Sequence, residues 1–317
     1  MIKLLVTIHC KASVQECLQA EFSDRYQIVF AQGDAHRIAR ELQDAEVVIG
    51  EPSPALLQTA KALKWLQITW AGADRFTGSF PQNVTLTNTS GAFGRIISEY
   101  TLGMILSQYK HLQQYYVNQQ KCVWADLGPE RSLFNKKALI LGTGNVGSNI
   151  AQKLHAFGTD NIGINRSGKP AEHFDAVYKL EELDQHLPEA DIVIGALPRT
   201  TGTIGLLDYS RMHKMKKDAL LVNVGRGTMI VTKDLEQLLE EDFFCGVILD
   251  VVDPEPLPET SSLWANPRVL LTPHISGIGF GHDDATEALI WDICRENLRR
   301  YAAGEALNHV VDVAAGY

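Results

Sequence analysis

The chain of 317 residues is predicted to be an α/β protein of two domains, each built on a parallel sheet, with the second inserted into the first. Three observations carry this. The first hundred residues alternate short apolar runs with helical stretches, the βα repetition that builds parallel sheets. A second βα series starts at Lys137 and continues to about Gly279. Beyond it, Asp284 to Tyr301 has the apolar spacing of a helix, which returns to the first domain.

In order, the strands of the first series are IKLLVTI, YQIVFA, AEVVIG and LKWLQITW, with a polar helix from Ser13 to Glu21. A longer helix without proline is expected from Ile96 to about Gln119, followed by an irregular stretch through DLGPERS. The second series supplies the strands ALIL, NIGIN, ADIVIGALP (ending at Leu197-Pro198), ALLVNVG, GVILDV and RVLL. In the last helix, Ala288, Leu289, Trp291, Ile293, Leu298 and Tyr301 form the expected buried stripe. The domains read as residues 1–98, with 285–317 returning to them, and residues 99–284.

Composition narrows the class. With 45% apolar and 21% charged residues the chain is an ordinary globular protein. A net charge of −9, with no Lys/Arg run longer than the pairs Lys216-Lys217 and Arg299-Arg300, argues against nucleic-acid binding. No segment approaches a membrane span, and MIKLLVTIHCKAS is unlike a signal peptide. The five cysteines are scattered without CxxC spacing, which points to reduced thiols in the cytoplasm and to no metal site.

KKALILGTGNVGSNIAQKLHAFG places Gly142, Gly144 and Gly147 in GxGxxG spacing between a strand and an amphipathic helix. In a dinucleotide site the first glycine permits the tight turn, the second lets backbone approach the pyrophosphate, and the third allows close helix–strand packing. The helix N-terminus then offers N–H groups to the anion. The next strand ends in Asn165-Arg166-Ser167-Gly168-Lys169, with no acid for a ribose 2′-hydroxyl. Arg166 suits a 2′-phosphate, so NADP(H) is the expected cofactor and NAD(H) the alternative.

Three later strands end in residues able to act on a carboxylate or a carbonyl. These are Arg226 after ALLVNVG, Glu255 after GVILDVVDP, and His274 after RVLLTP. In an open parallel sheet, ligands bind at the carboxyl ends of the strands, so all three would reach one crevice. Asp253 is a second choice for the acid, and Asp250 either contacts the nicotinamide amide or caps a turn.

The motifs AGAD near residue 72, SEYTLG, GxGxxG, LPxTxxT, NVGRG, DVxxxEPLP and TPHISG, in this order, resemble the D-isomer-specific 2-hydroxyacid dehydrogenase family. Length and the Asn-Arg-Ser segment are most similar to its NADPH-dependent glyoxylate/hydroxypyruvate reductase branch. The resemblance implies two Rossmann-like domains, a flavodoxin-like substrate domain and an inserted doubly wound dinucleotide-binding domain. It implies a homodimer built through the cofactor domain, and Trp124 either lends an aromatic across the dimer to the partner's pocket, as in some relatives, or packs in the ordinary way.

It also implies roles. Arg226 would clamp the substrate carboxylate, in a fork geometry that Lys cannot reproduce. His274 would donate a proton to the carbonyl oxygen as hydride arrives from the nicotinamide. Glu255 would orient the imidazole and favour its protonated form. The Ala71-Gly72 turn would present N–H groups to the substrate, alongside Arg226 and His274. The candidate cofactor contacts are Gly142, Thr143, Gly144, Asn145, Val146, Gly147, Asn165, Arg166, Ser167, Leu197, Pro198, Thr203, Val224, Gly225, Asp250 and Gly277.

The expected activity is NADPH-dependent reduction of a short 2-oxo acid, glyoxylate or hydroxypyruvate among them, to the D-2-hydroxy acid. A D-lactate-type or aromatic-acid dehydrogenase using NADH is the alternative enzyme. A corepressor-like dinucleotide sensor is the alternative of another class, because fold alone does not settle function.

Overall fold

The computed structural model describes residues 1–76, 78 and 80–316, and in it the apolar runs form two parallel sheets. The chain divides into two units, Met1–Ala92 with Gly279–Tyr317, and Phe93–Ile278. Each division falls six residues before the boundary read from the sequence, at 92 against 98 and at 278 against 284.

The first unit holds β1 (Ile2–Val6), α1 (Ala12–Phe22), β2 (Tyr26–Phe30), α2 (Ala35–Glu41), β3 (Val47–Ile49), α3 (Pro54–Leu57), β4 (Trp65–Gln67) and β5 (Thr85–Thr87). Its sheet runs β2-β1-β3-β4-β5, the flavodoxin-like order, with every pair parallel. Leu5, Val48, Leu66, Ile68 and Leu86 share one core. β5, a three-residue strand reading Thr-Leu-Thr, lacks the apolar run that marks its neighbours in the sequence.

The second unit opens with α4 (Gly94–Tyr109) and α5 (Leu112–Gln120). The single helix expected from Ile96 to Gln119 is thus two, divided where His111 takes a φ of 53°. That left-handed residue ends the helical run without any proline. There follow β6 (Lys137–Leu141), α6 (Asn145–His155), β7 (Asp160–Asn165), β8 (Ala176–Lys179), α7 (Leu183–His186), β9 (Ile192–Gly195), α8 (Tyr209–Met212), β10 (Leu220–Asn223), α9 (Thr232–Glu240), β11 (Gly246–Leu249) and β12 (Val269–Leu271). The strand order is β12-β11-β10-β9-β6-β7-β8, a doubly wound sheet whose direction of winding reverses between β6 and β9.

Both faces of this sheet are covered, which explains why its strands read as unbroken apolar runs. Ala138 and Ile140 face one core with Ile192, Ile194, Leu220 and Val222. Leu139 and Leu141 face the other with Val193, Leu221 and Val247. Each such fully buried Leu, Ile or Val side chain contributes on the order of 1.5–3 kcal/mol.

The last helix, α10 (Asp284–Ala303), belongs to the first unit, starts at the Asp283 cap and stops at Gly304 with a φ of 72°. Its buried residues are Thr286, Glu287, Ile290, Trp291, Cys294, Asn297 and Leu298. This corrects the expected stripe, since Leu289 is 43% exposed and Ala288 is exposed too. The helix is turned toward polar partners that hydrophobic spacing does not register. Asn297 donates to Gln67 Oε1 at 2.8 Å, and Lys11 Nζ lies 2.8 Å from Glu287 Oε2.

Candidate active site

At the winding reversal of the larger sheet, β6 runs into Gly142-Thr143-Gly144 and then α6. Gly142 has a φ of 108°, and a β-carbon there would lie 2.6 Å from the Ala196 carbonyl oxygen. A β-carbon on Gly147 would overlap the Gly142 carbonyl oxygen, so helix and turn can be this close only without side chains. Gly144 differs, because a β-carbon there would meet no atom within 4 Å. It caps α6 without any side-chain hydrogen bond, leaving the first-turn N–H groups for an anion. An open approach at Gly144 and an uncapped helix start are what a pyrophosphate requires, so these residues fit a dinucleotide.

The turn after β7 is organised by Asn165. Its Oδ1 accepts from the N–H groups of Ser167 at 3.0 Å and Gly168 at 2.7 Å. Its Nδ2 donates to Thr143 Oγ1 at 2.8 Å and to the Lys169 carbonyl at 3.0 Å. One carboxamide thus joins this turn to the glycine loop and carries Arg166 and Lys169 on its exposed side.

The strand ends beyond the reversal lie shoulder to shoulder. A β-carbon on Gly225 would be 2.8 Å from the Leu197 carbonyl oxygen, and one on Gly227 would overlap that of Val252. The loops after β9, β10 and β11 therefore press together through glycine backbone. Arg226, between those two glycines, donates from Nη1 to the Gly225 carbonyl at 2.8 Å, and its own carbonyl accepts from Asn223 Nδ2 at 3.0 Å.

His274 follows β12 with a φ of 56°, an uncommon conformation for a side-chain-bearing residue. Asp250 holds it there. The Asp250 carbonyl accepts from the His274 N–H at 2.8 Å, while its carboxylate accepts from Thr272 Oγ1 at 2.7 Å, Ile275 N–H at 2.9 Å and Ser276 N–H at 3.1 Å. Asp250 is 2% exposed, and its carboxylate caps this turn. Glu255 Oε2 lies 3.0 Å from His274 Nδ1, and Glu255 Oε1 accepts from the Val252 N–H at 3.1 Å. Glu255, not Asp253, is the carboxylate on the imidazole. With Nδ1 so engaged and half of the side chain exposed, Nε2 is the ring nitrogen left to exchange a proton.

In the first unit, β4 leads to Thr69-Trp70-Ala71-Gly72. The Trp70 carbonyl accepts from the Thr89 N–H at 3.1 Å, and the Ala71 carbonyl from Asn88 Nδ2 at 2.8 Å. A trans peptide points its N–H opposite to its carbonyl. The Ala71 and Gly72 N–H groups therefore face away from this support, and neither has an acceptor among the described residues. On the other flank, Glu51 Oε1 accepts from Thr69 N–H at 2.6 Å and Thr69 Oγ1 at 2.7 Å. Burial raises the Glu51 carboxyl above the usual range even so.

Residues 102–276 match the model of the D-isomer specific 2-hydroxyacid dehydrogenase NAD binding domain. The chain belongs to the D-isomer specific 2-hydroxyacid dehydrogenase family. It is 30% identical over 278 residues to glyoxylate/hydroxypyruvate reductase A of Serratia proteamaculans, across 85% of this chain and 87% of that one. The crystal structure of a family protein from Aeromonas salmonicida is similar with a TM-score of 0.89 at 33% identity, covering 98% of this chain and 99% of that one. The NADPH-dependent glyoxylate/hydroxypyruvate reductase of Sinorhizobium meliloti, solved with NADP and sulfate, gives a TM-score of 0.85 at 26% identity, with both chains covered completely.

The protein is therefore an NAD(P)-dependent oxidoreductase of the 2-hydroxyacid dehydrogenase family, and its NAD-binding domain lies in the second unit. Within that domain the other residues anticipated at the cofactor take visibly different positions. Thr203 is 7% exposed and its hydroxyl donates to the Pro198 carbonyl at 2.7 Å, knitting the loop that carries Leu197 and Pro198. Val224 is buried, and Gly277 abuts Ile97 on α4. Val146 is half-buried and Asn145 exposed in the first turn of α6. Trp124 is fully exposed in the irregular stretch after α5. Sequence reasoning passed over Asn88 and Glu51, which fix the turn at Ala71-Gly72. The available signal was their position just after short strands of the smaller sheet, but β5 itself was not legible.

Proposed function

We propose that this chain reduces a short 2-oxo acid, glyoxylate or hydroxypyruvate among them, to the D-2-hydroxy acid with NADPH. The observation that carries the reading is the His274–Glu255 pair at 3.0 Å, a proton donor with its orienting carboxylate, after β12 and β11, the two strands that follow Arg226's strand β10 in the sheet. A sensor that merely bound dinucleotide would have no need of it. When bound, the nicotinamide cofactor supplies the hydride. Arg226 holds the substrate carboxylate bidentately and His274 Nε2 gives its proton to the carbonyl oxygen, while in the first unit the Ala71 and Gly72 amides offer N–H groups suited to a carboxylate. Asp250 keeps the loop 272–276 fixed throughout, so the imidazole reacts without searching for its orientation.

Preference for NADPH is supported by the turn after β7, which holds Arg166 and Lys169 on an Asn165 scaffold and carries no acid to repel a 2′-phosphate. A homodimer through the second unit is supported by exposed apolar side chains on α5 and just beyond it: Leu112 at 53%, Tyr116 at 62% and Trp124 at 104%. Among the described residues no helix is long and apolar enough to cross a membrane.

The test is a panel of 2-oxo acids run with NADPH and NADH. The expected result is turnover of two- and three-carbon 2-oxo acids with higher kcat/KM for NADPH, and loss of that preference in Arg166→Ala. Tight dinucleotide binding without turnover of any 2-oxo acid would reject the enzyme assignment of substrate, and equal or better use of NADH would reject the cofactor preference.

A further inference from the structure

We propose that Asn88 is a positioning residue for substrate: by holding the Ala71 carbonyl it aims the Gly72 amide, and so sets affinity for the substrate carboxylate. This rests on the reading of the Ala71-Gly72 turn as a carboxylate contact. The side chain has one orientation open to it. Asn88 Oδ1 accepts from the Ser90 N–H at 3.0 Å, which turns Nδ2 toward the Ala71 carbonyl at 2.8 Å. Because the peptide is planar and trans, a carbonyl fixed on one side fixes the Gly72 N–H on the other. The neighbouring Ala71 amide is aimed in the same way, by the backbone N–H of Thr89 on the Trp70 carbonyl.

Asn88 is itself held from behind by a buried chain of carboxamides. Its N–H donates to the His309 carbonyl at 3.1 Å, and its carbonyl accepts from Gln67 Nε2 at 3.0 Å. Gln67 Oε1 accepts from Thr87 Oγ1 at 2.7 Å and from Asn297 Nδ2 at 2.8 Å. Asn297 in turn exchanges hydrogen bonds with the Asn308 backbone, at 3.0 Å and 2.8 Å. Asn88 is 7% exposed, and Gln67 and Asn297 are fully buried. Such a network has one satisfied arrangement, so the direction of the Gly72 amide is built into the first unit before any ligand arrives.

Asn88→Ser and Asn88→Asp test this. The serine is too short to reach the Ala71 carbonyl, and the aspartate sets an acceptor against it, which drives the 71–72 peptide to rotate. The expected result is a KM for glyoxylate and an inhibition constant for oxalate raised about tenfold in Asn88→Ser and about a hundredfold in Asn88→Asp. The dissociation constant for NADPH and the kcat at saturation should remain within about twofold. Unchanged KM and oxalate inhibition in Asn88→Ser would overturn the proposal. So would a parallel fall in kcat and NADPH affinity, which marks general damage to the fold. A wild-type enzyme that reduces no 2-oxo acid would instead reject the functional reading beneath it.

Discussion

His274 shows how one residue can be held in an uncommon conformation for use. A left-handed backbone costs a side-chain-bearing residue on the order of 1–3 kcal/mol, and here it is offset by the Asp250 carbonyl and carboxylate, which bind the loop on both sides of the ring. His274→Gln should lower turnover about 100- to 10,000-fold while NADPH affinity stays unchanged, as steady-state rates and cofactor titration would show. Glu255→Gln should cost about ten- to a hundredfold, since the ring keeps a neighbour at Nδ1 but loses a charged acceptor there. Equal rates in wild type and His274→Gln would remove the imidazole from the reaction. These two residues were legible in the sequence because each follows an apolar run and a proline. The choice of Glu255 over Asp253 was not, because both sit in one irregular loop and only its path brings one of them to Nδ1.

At the scale of elements, the ends of β6, β9, β10 and β11 make a continuous rank of loops because glycine lets backbone touch backbone at Gly142, Gly225 and Gly227. The glycine pattern could be read from the sequence, but the partner of each glycine could not. Two substitutions in one motif should therefore fail differently. Gly142→Ala places a β-carbon against the Ala196 carbonyl at a φ of 108°, and should destabilise the fold by about 1–3 kcal/mol in thermal melts. Gly144→Ala meets open space and should melt like wild type while weakening NADPH binding. Equal melting of the two variants would contradict this division of labour. Helix α10 marks the limit of pattern reading, because Glu287 and Asn297 are buried with polar partners and so shift the register that apolar residues alone suggest.

At the scale of the molecule, the first unit is discontinuous, and α10 is tied to α1 across more than 270 residues of chain. Glu21 accepts from Arg295 Nε at 2.8 Å and from Arg299 Nε at 2.6 Å. Partial burial pushes the Glu21 carboxyl up, but the two guanidiniums outweigh it and hold it below its ordinary range. A depressed folded value means stability that is present above the unfolded carboxylate range of about 4.3 and is lost as pH falls through the folded value. Glu21→Gln should then lower stability by about 1 kcal/mol at pH 7, and by less at pH 3, in paired melts. A difference that does not shrink in acid would show that the pair contributes through packing alone.

The same discontinuity bears on the order of synthesis. Beyond β5 the outer edge of the smaller sheet is covered by a segment that follows α10, where Thr87 bridges Val310 antiparallel and the Val311 N–H reaches the Leu86 carbonyl at 2.9 Å. On a ribosome, β5 emerges long before its cover, and an uncovered strand edge is a template for pairing with other chains. The whole of the second unit is made in the interval, while the first must wait for the segment around Val310. A nascent chain released before Val310 would therefore carry an adhesive strand edge, which makes this covering segment a guard against aggregation.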